Sequence, residues 1–129
     1  MNKQWLDATA AGDIARVSAL LDAGTDIDAL DKHGQTALMN AAHRGDAALV
    51  QVLVDRGANL NHTAKYRLTA LMLAVINDHT DVVRILVAAG ADRNIQGSIG
   101  HFACTPLEYA EEHGKGHLAR LLRDGELVN

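Results

Sequence analysis

Large rings, prolines and cysteines are scarce in this chain. Aromatic residues make up 3% of it (Trp5, Tyr66, Phe102 and Tyr109), and there is one proline and one cysteine. A core built without rings must come from Ala, Val, Leu and Ile, which favours many small helices in close contact over a sheet sandwich. The lone cysteine, Cys104, cannot close an internal disulfide, and Met1 to Gly12 holds no apolar run long enough for a signal-peptide core. Nor does any stretch approach the ~20 apolar residues of a membrane helix. A reducing, cytoplasmic location is the expectation, with no membrane as partner. Positive charge is also in short supply: the net charge is −4 and the pI about 5.9. Nucleic acid is thereby excluded as a partner, because phosphate-backbone binding needs a concentrated positive field. What remains is 129 residues, 48% hydrophobic and 22% charged, the profile of one globular domain spanning 1–129.

That domain has an internal period. Gly24, Gly57 and Gly90 are each 33 residues apart and follow apolar helical runs, and Thr36 and Thr69 are also 33 apart, heading Thr36-Ala37-Leu38-Met39 and Thr69-Ala70-Leu71-Met72. The next copy, Thr105-Pro106-Leu107-Glu108, follows after 36, so three residues are inserted before it. Each unit reads as two short helices. The threonine caps the first, where a hydroxyl can take a free backbone N–H, and Pro106 occupies a first-turn position that tolerates it. Leu38, Ala41 and Ala42 form one apolar face. Gly45 and Gly114 break the chain, with Asp78 in the matching place as a residue that tolerates a left-handed backbone. The second helix carries Leu49, Val50, Leu53 and Val54, repeated as Val82, Val83, Leu86 and Val87, and Gly57 or Gly90 ends it.

Two-turn helices are far shorter than the ~12–15 residues needed for independent stability, so the units must stack. End units should then be polar outside. Arg16 and Ala19 stand where Leu49 and Val52 stand one unit later, and Arg123 and Asp124 replace Val87 and Ala88. The expectation is a complete array of four units, at about 1–29, 30–62, 63–95 and 96–129.

These residues resemble ankyrin repeats across essentially the whole chain. Asp31-Lys32-His33-Gly34-Gln35-Thr36-Ala37-Leu38 is similar to the family's turn and helix start, and Val52-Leu53-Val54-Asp55-Arg56-Gly57-Ala58-Asn59-Leu60-Asn61 to its second-helix end. The resemblance implies an all-α solenoid of helix-turn-helix pairs, with β-turn fingers projecting between repeats and a concave face of fingers and first helices. It also implies protein binding, no catalysis, no cofactor and no metal. Two departures stand out. The family's histidine after Thr-Pro-Leu is Met39, Met72 and Glu108 here, so the hydrogen-bond ladder it supports is expected to be absent. The turn glycine at Gly34 is Arg67 in the third repeat and is displaced by the insertion in the fourth, so those two fingers should deviate.

Carried over by alignment, the partner-contact positions are Lys32, His33, Gln35, His43 and Arg44 in the second repeat, and Lys65, Tyr66, Leu68, Ile76 and Asn77 in the third. In the fourth they are His101, Phe102, Cys104, Glu112 and His113. Independently of the resemblance, Tyr66 and Phe102 fall outside the helical apolar period, with Leu68 and Ile76 beside them and Lys32, Arg44, Lys65 and Arg67 around. Rigid rings that bury much area at small entropic cost suit a protein-binding hot spot. The competing reading is that both rings fold back and fill the finger bases. The middle units are the least acidic, which suits an apolar partner segment with acidic flanks, and fifteen groove positions fall short of the roughly 20–30 of a standard interface. A monomer is expected, with weak self-association through the same patch as the alternative.

A rival chemistry centres on Cys104, His101, His113 and His117. A helix start can lower a thiol pKa, and His113 and His117 have zinc-like i, i+4 spacing. Gly114 and Gly116 make a regular helical turn there improbable, however, and a solvated loop is the plainer reading. Gly97-Ser98-Ile99-Gly100 lacks the lysine of a phosphate loop and reads as a lengthened finger. Trp5, aligned with Leu38, reads as core.

Overall fold

A computed structural model of the protein describes residues 2–98 and 100–124, with His101 described by its backbone alone. Eight helices follow in pairs: α1 (Lys3–Ala11) and α2 (Ile14–Asp22), α3 (Ala37–Arg44) and α4 (Ala47–Asp55), α5 (Ala70–Ile76) and α6 (Thr80–Ala88), α7 (Pro106–Glu112) and α8 (Gly116–Asp124). Among the described residues there is no strand. The first helices α1, α3, α5 and α7 pack in one row, and the second helices α2, α4, α6 and α8 in another. The all-α repeat solenoid is therefore the observed architecture.

Local chemistry accounts for each boundary. The hydroxyls of Thr36, Thr69 and Thr105 each accept the N–H three residues on, at 3.2 Å. Glu108 returns the favour to the Thr105 N–H at 2.9 Å, completing a capping box. Asp13 and Asp46 cap α2 and α4 in the same way. At the far ends of α4 and α6, Gly57 and Gly90 take positive φ while Ala58 and Ala91 donate back to Leu53 and Leu86 at 3.0 Å, the double-bonded helix stop that a left-handed residue permits. Asp78 has φ +60 as expected.

The core is one continuous cluster running the length of the stack. Leu38, Leu71, Leu49, Leu53, Leu86 and Leu118 are fully covered, as are Trp5, Met39 and Met72. The two methionines fill the core with flexible thioether side chains. Arg16, Ala19, Arg123 and Asp124 are exposed.

Successive pairs are also joined by polar contacts at the turn between helices. An Arg44 guanidinium nitrogen donates to the Thr9 carbonyl and lies 3.4 Å from Asp46. One unit on, His79 Nε2 meets the His43 carbonyl at 2.9 Å, and Lys115 Nζ pairs with Asp78. On the other edge Asp28 accepts from Asn59 N–H and Asn61 from Asp92 N–H, both at 2.8 Å.

The first finger is held by Asp31. Its Oδ1 accepts the N–H groups of His33 (2.8 Å) and Gln35 (3.0 Å), and its Oδ2 accepts from Asn40 Nδ2 at 3.0 Å. Partial burial pushes its pKa up, but these donors outweigh it and hold the carboxyl below its ordinary value. A folded-state pKa below the unfolded one adds stability above the unfolded value, and that stability is lost as pH falls through the folded value. Asp31→Ala is accordingly expected to lower the thermal midpoint at pH 7, with the gap to wild type closing below about pH 4. Melting curves of both proteins from pH 7 to 3 check this, and a gap independent of pH would refute it.

Candidate functional site

The fingers and the adjoining ends of the first helices carry the expected contact positions, and the structure sorts them. Lys32, His33, His43, Arg44, Lys65, Tyr66, Glu112 and His113 are exposed, and Gln35 and Asn77 are half-buried. Asn77 is tied down by its Nδ2, which donates to the Leu73 carbonyl at 2.8 Å. Arg44 is occupied in the joint to the preceding unit.

Tyr66 emerges as the expected exposed ring. The third finger, deprived of its glycine, winds into a single 3-10 turn over Lys65–Arg67, with Tyr66 at φ +64 and Arg67 at φ +58. Left-handed backbone is uncommon for such side chains and costs of order 1 kcal/mol each. Hydrogen bonds hold it: Ala64 N–H to Leu68 carbonyl at 3.0 Å, and Ser98 N–H to Tyr66 carbonyl at 2.8 Å. The ring stays 39% exposed, with Lys65 Nζ 5.0 Å from its centroid, inside the ~6 Å range of a cation–π contact.

Phe102 departs from the hot-spot reading and follows the competing one, in which the ring folds back. It is half-buried against the core, and its ring lies 6.3 Å from that of Tyr109 at an interplanar angle of 22°. Tyr109 in turn stacks on His113, centroids 4.0 Å apart, and His113 Nδ1 meets the Tyr109 carbonyl at 2.9 Å. The three inserted residues give the fourth finger the length to fold back onto α7, and burying a ring there is worth more than exposing it. Leu68 and Ile76, expected beside the rings as exposed apolar groups, likewise pack against the core. The side chain of His101 and all of Ile99 lie outside the described residues.

Sequence reasoning missed a second feature. Leu6 on α1 and Leu30 before the first finger, 42% and 44% exposed, face a cleft of about 570 Å³ lined also by Asp31, Lys32 and His33. The available signal was Leu30, an aliphatic residue where the following units place Thr63 and Gln96.

The rival chemistry finds no geometry. Cys104 is buried, and burial, with Glu112 and Glu108 nearby, pushes its thiol up rather than down. The helix start at Thr105 does not offset this, so the reactive thiolate is disfavoured. His113 closes α7 and Gly114 has φ +69 before α8 begins, so His113 and His117 do not share a helical turn. Among the described residues no group of three or more His, Cys, Asp or Glu side chains could hold a metal. No described helix is long and apolar enough to cross a membrane.

A family model described as ankyrin repeats, in three copies, matches residues 5–97. No curated protein matches the chain. The matched span runs from α1 through α6 into the fourth finger, and the α7–α8 pair lies beyond it. Ankyrin repeats are in general protein–protein interaction modules, and proteins of the family are typically non-catalytic. With its 33-residue period, paired short helices and intervening fingers, the chain belongs to the ankyrin-repeat family.

Proposed function

We propose that this protein acts without catalysis, by holding a partner protein against the surface made by its finger tips and the ends of α3, α5 and α7. Tyr66 carries this reading. A large ring kept out of the core on a strained backbone, in a chain with three other aromatics, is an arrangement that folding alone does not need. Lys65, whose ammonium lies over the ring, and Arg67 flank it in the chain, and Lys32 and His33 on the first finger are exposed as well. An aromatic anchor inside a polar rim is the usual anatomy of a binding hot spot. The surface favours an apolar partner segment with acidic flanks, bound with modest affinity, by a monomer in a reducing compartment.

The test uses two exposed residues. Tyr66→Ala combined with His43→Ala should reduce capture of partner proteins from lysate about tenfold or more, the effect of losing a hot-spot anchor of about 1.4 kcal/mol or larger. Circular dichroism should show an unchanged fold. Equal capture by the variant and the wild type would sink the finger-face reading.

A further inference from the structure

The Tyr66 finger stands apart from its neighbours in charge. No aspartate or glutamate occurs between Asp55 and Asp78, a stretch that carries Arg56, Lys65 and Arg67, and none between Asp92 and Glu108. Arg56 is taken by Asp22, but no carboxylate lies within ion-pairing distance of Lys65 or Arg67 among the described residues. The acids on adjoining elements leave that sign in place. Asp31, on the preceding finger, stays ionised, with both oxygens held to its own loop by His33 N–H, Gln35 N–H and Asn40 Nδ2, and Lys32 follows it in the chain. Asp92, ahead of the next finger, accepts the Asn94 N–H. On α7, Glu108 accepts the Thr105 N–H, Glu111 pairs with Arg123, and Glu112 ends the helix. Asp78 lies beyond the far end of α5 and pairs with Lys115. Histidines aside, the charged side chains over 30–36, 63–69 and 96–105 are Lys32, Lys65 and Arg67 against Asp31 alone.

Its backbone is equally distinct. Two successive left-handed residues, Tyr66 and Arg67, turn the chain. Arg67 N–H closes the turn on the Ala64 carbonyl at 2.9 Å, and Leu68 N–H reaches the Lys65 carbonyl at 3.4 Å. The N–H groups of Lys65 and Tyr66, on exposed residues, meet no acceptor among the described residues. Successive N–H groups presented by a turn form a concavity that attracts anions. Strained backbone of this kind clusters where a ligand is held. The Ser98 N–H, bonded to the Tyr66 carbonyl, fixes the turn from the other side. Two free donors, two unpaired cations and an exposed ring thus occupy three consecutive residues.

From these observations we infer that the Tyr66 finger seats a side-chain carboxylate of the partner segment, received by the N–H groups of Lys65 and Tyr66 and by the charges of Lys65 and Arg67. The Tyr66 ring covers an apolar residue beside that carboxylate. Hydrogen bonds to an ionised acceptor are roughly twice as strong as neutral ones, so the seat discriminates a carboxylate from an amide of the same shape. This rests on the finger-face reading above and deepens it by fixing where the acidic residue of the partner lies.

Three synthetic peptides test it on the full chain: acetyl-Gly-Leu-Glu-Glu-Leu-Gly-amide, the same peptide with glutamine for glutamate, and the same with phosphoserine for glutamate. The amide protons of Lys65 and Tyr66 should move downfield with the glutamate peptide, as they gain an anionic acceptor. Its affinity should exceed that of the glutamine peptide by about fivefold at low salt, and the margin should shrink in about 0.5 M salt. Lys65→Gln with Arg67→Gln should erase the margin. Arg67→Gly separates binding from folding: glycine adopts the left-handed backbone readily, so the thermal midpoint should hold or rise while the margin falls about twofold or more. Equal binding of the glutamate and glutamine peptides, or shifts confined to residues outside the finger, would overturn the assignment. A phosphoserine peptide bound more than tenfold tighter than the glutamate peptide would also overturn it, making a phosphate the occupant. In lysate capture, loss with the Tyr66 and His43 variant but not with the double glutamine variant would remove the carboxylate seat and keep the finger face. Unchanged capture by both, with the peptide response intact, would do the reverse.

Discussion

Leu71→Ala is expected to destabilise the protein by about 3–5 kcal/mol, the upper part of the range for a leucine deleted from a closed core. Leu71 is 1% exposed on α5, which packs between α3 and α7 in the middle of the first-helix row. Neighbours on both sides are themselves held in place by other units, so little collapse into the vacated space is available. A domain of this size has about 5–15 kcal/mol in total, and the thermal midpoint should fall by about 10 °C or more. Because a stacked array is held together by nearest-neighbour interfaces, unfolding should also lose cooperativity, the two halves melting apart. Calorimetry reads both effects. A loss below about 1 kcal/mol with a single sharp transition would show that Leu71 does not hold the halves together.

The second large effect concerns a backbone position. Gly45 sits at φ +79 between α3 and α4, and a Cβ added there would lie 2.5 Å from His79 Nδ1 and 2.9 Å from its Cγ. The ring cannot simply swing away, since its Nε2 is engaged with the His43 carbonyl. Gly45→Ala should therefore cost about 1 kcal/mol for the left-handed backbone and about 1–3 kcal/mol more for overpacking. Gly57 is the control, with φ +87 and nothing within 4 Å of an added Cβ, so Gly57→Ala should show the backbone cost alone. Adding His79→Ala to Gly45→Ala should restore part of the loss. Chemical denaturation of the wild type, Gly45→Ala, His79→Ala and the double variant measures the cycle, with Gly57→Ala beside it as the control, and equal losses for the two glycine variants would show that the ring contact is immaterial.

Much of the fold was legible because its determinants are local. A threonine three residues ahead of a free N–H, a glycine at a helix end and an aspartate at a left-handed turn act within four residues of themselves. Thr36, Thr69, Asp78 and Gly90 behave as their positions dictate. The departure of the third finger was equally legible from Arg67, since a missing glycine signals an altered turn. Its outcome, two consecutive left-handed residues braced by Ser98, was not, because the brace comes from the next finger. The candidate site was legible only as a set of positions. Whether Phe102 faces solvent depends on a ring on α7 that only the insertion brings within reach. Leu6 and Leu30 are ordinary residues in the sequence, and they become a cleft once the first finger stands beside α1.

The polar joints between units have a consequence for how the gene product could be edited. Arginine to a carbonyl, imidazole to a carbonyl and ammonium to carboxylate are three different fastenings at corresponding places in the stack. The units share a hydrophobic profile yet are not fully interchangeable: excising the second copy would still offer His79 a backbone carbonyl at the end of α1, whereas excising the third would set Lys115 against Gly45 in place of Asp78 and remove the ion pair. Loss of a whole copy would here leave one seam fastened and call for a compensating carboxylate at the other.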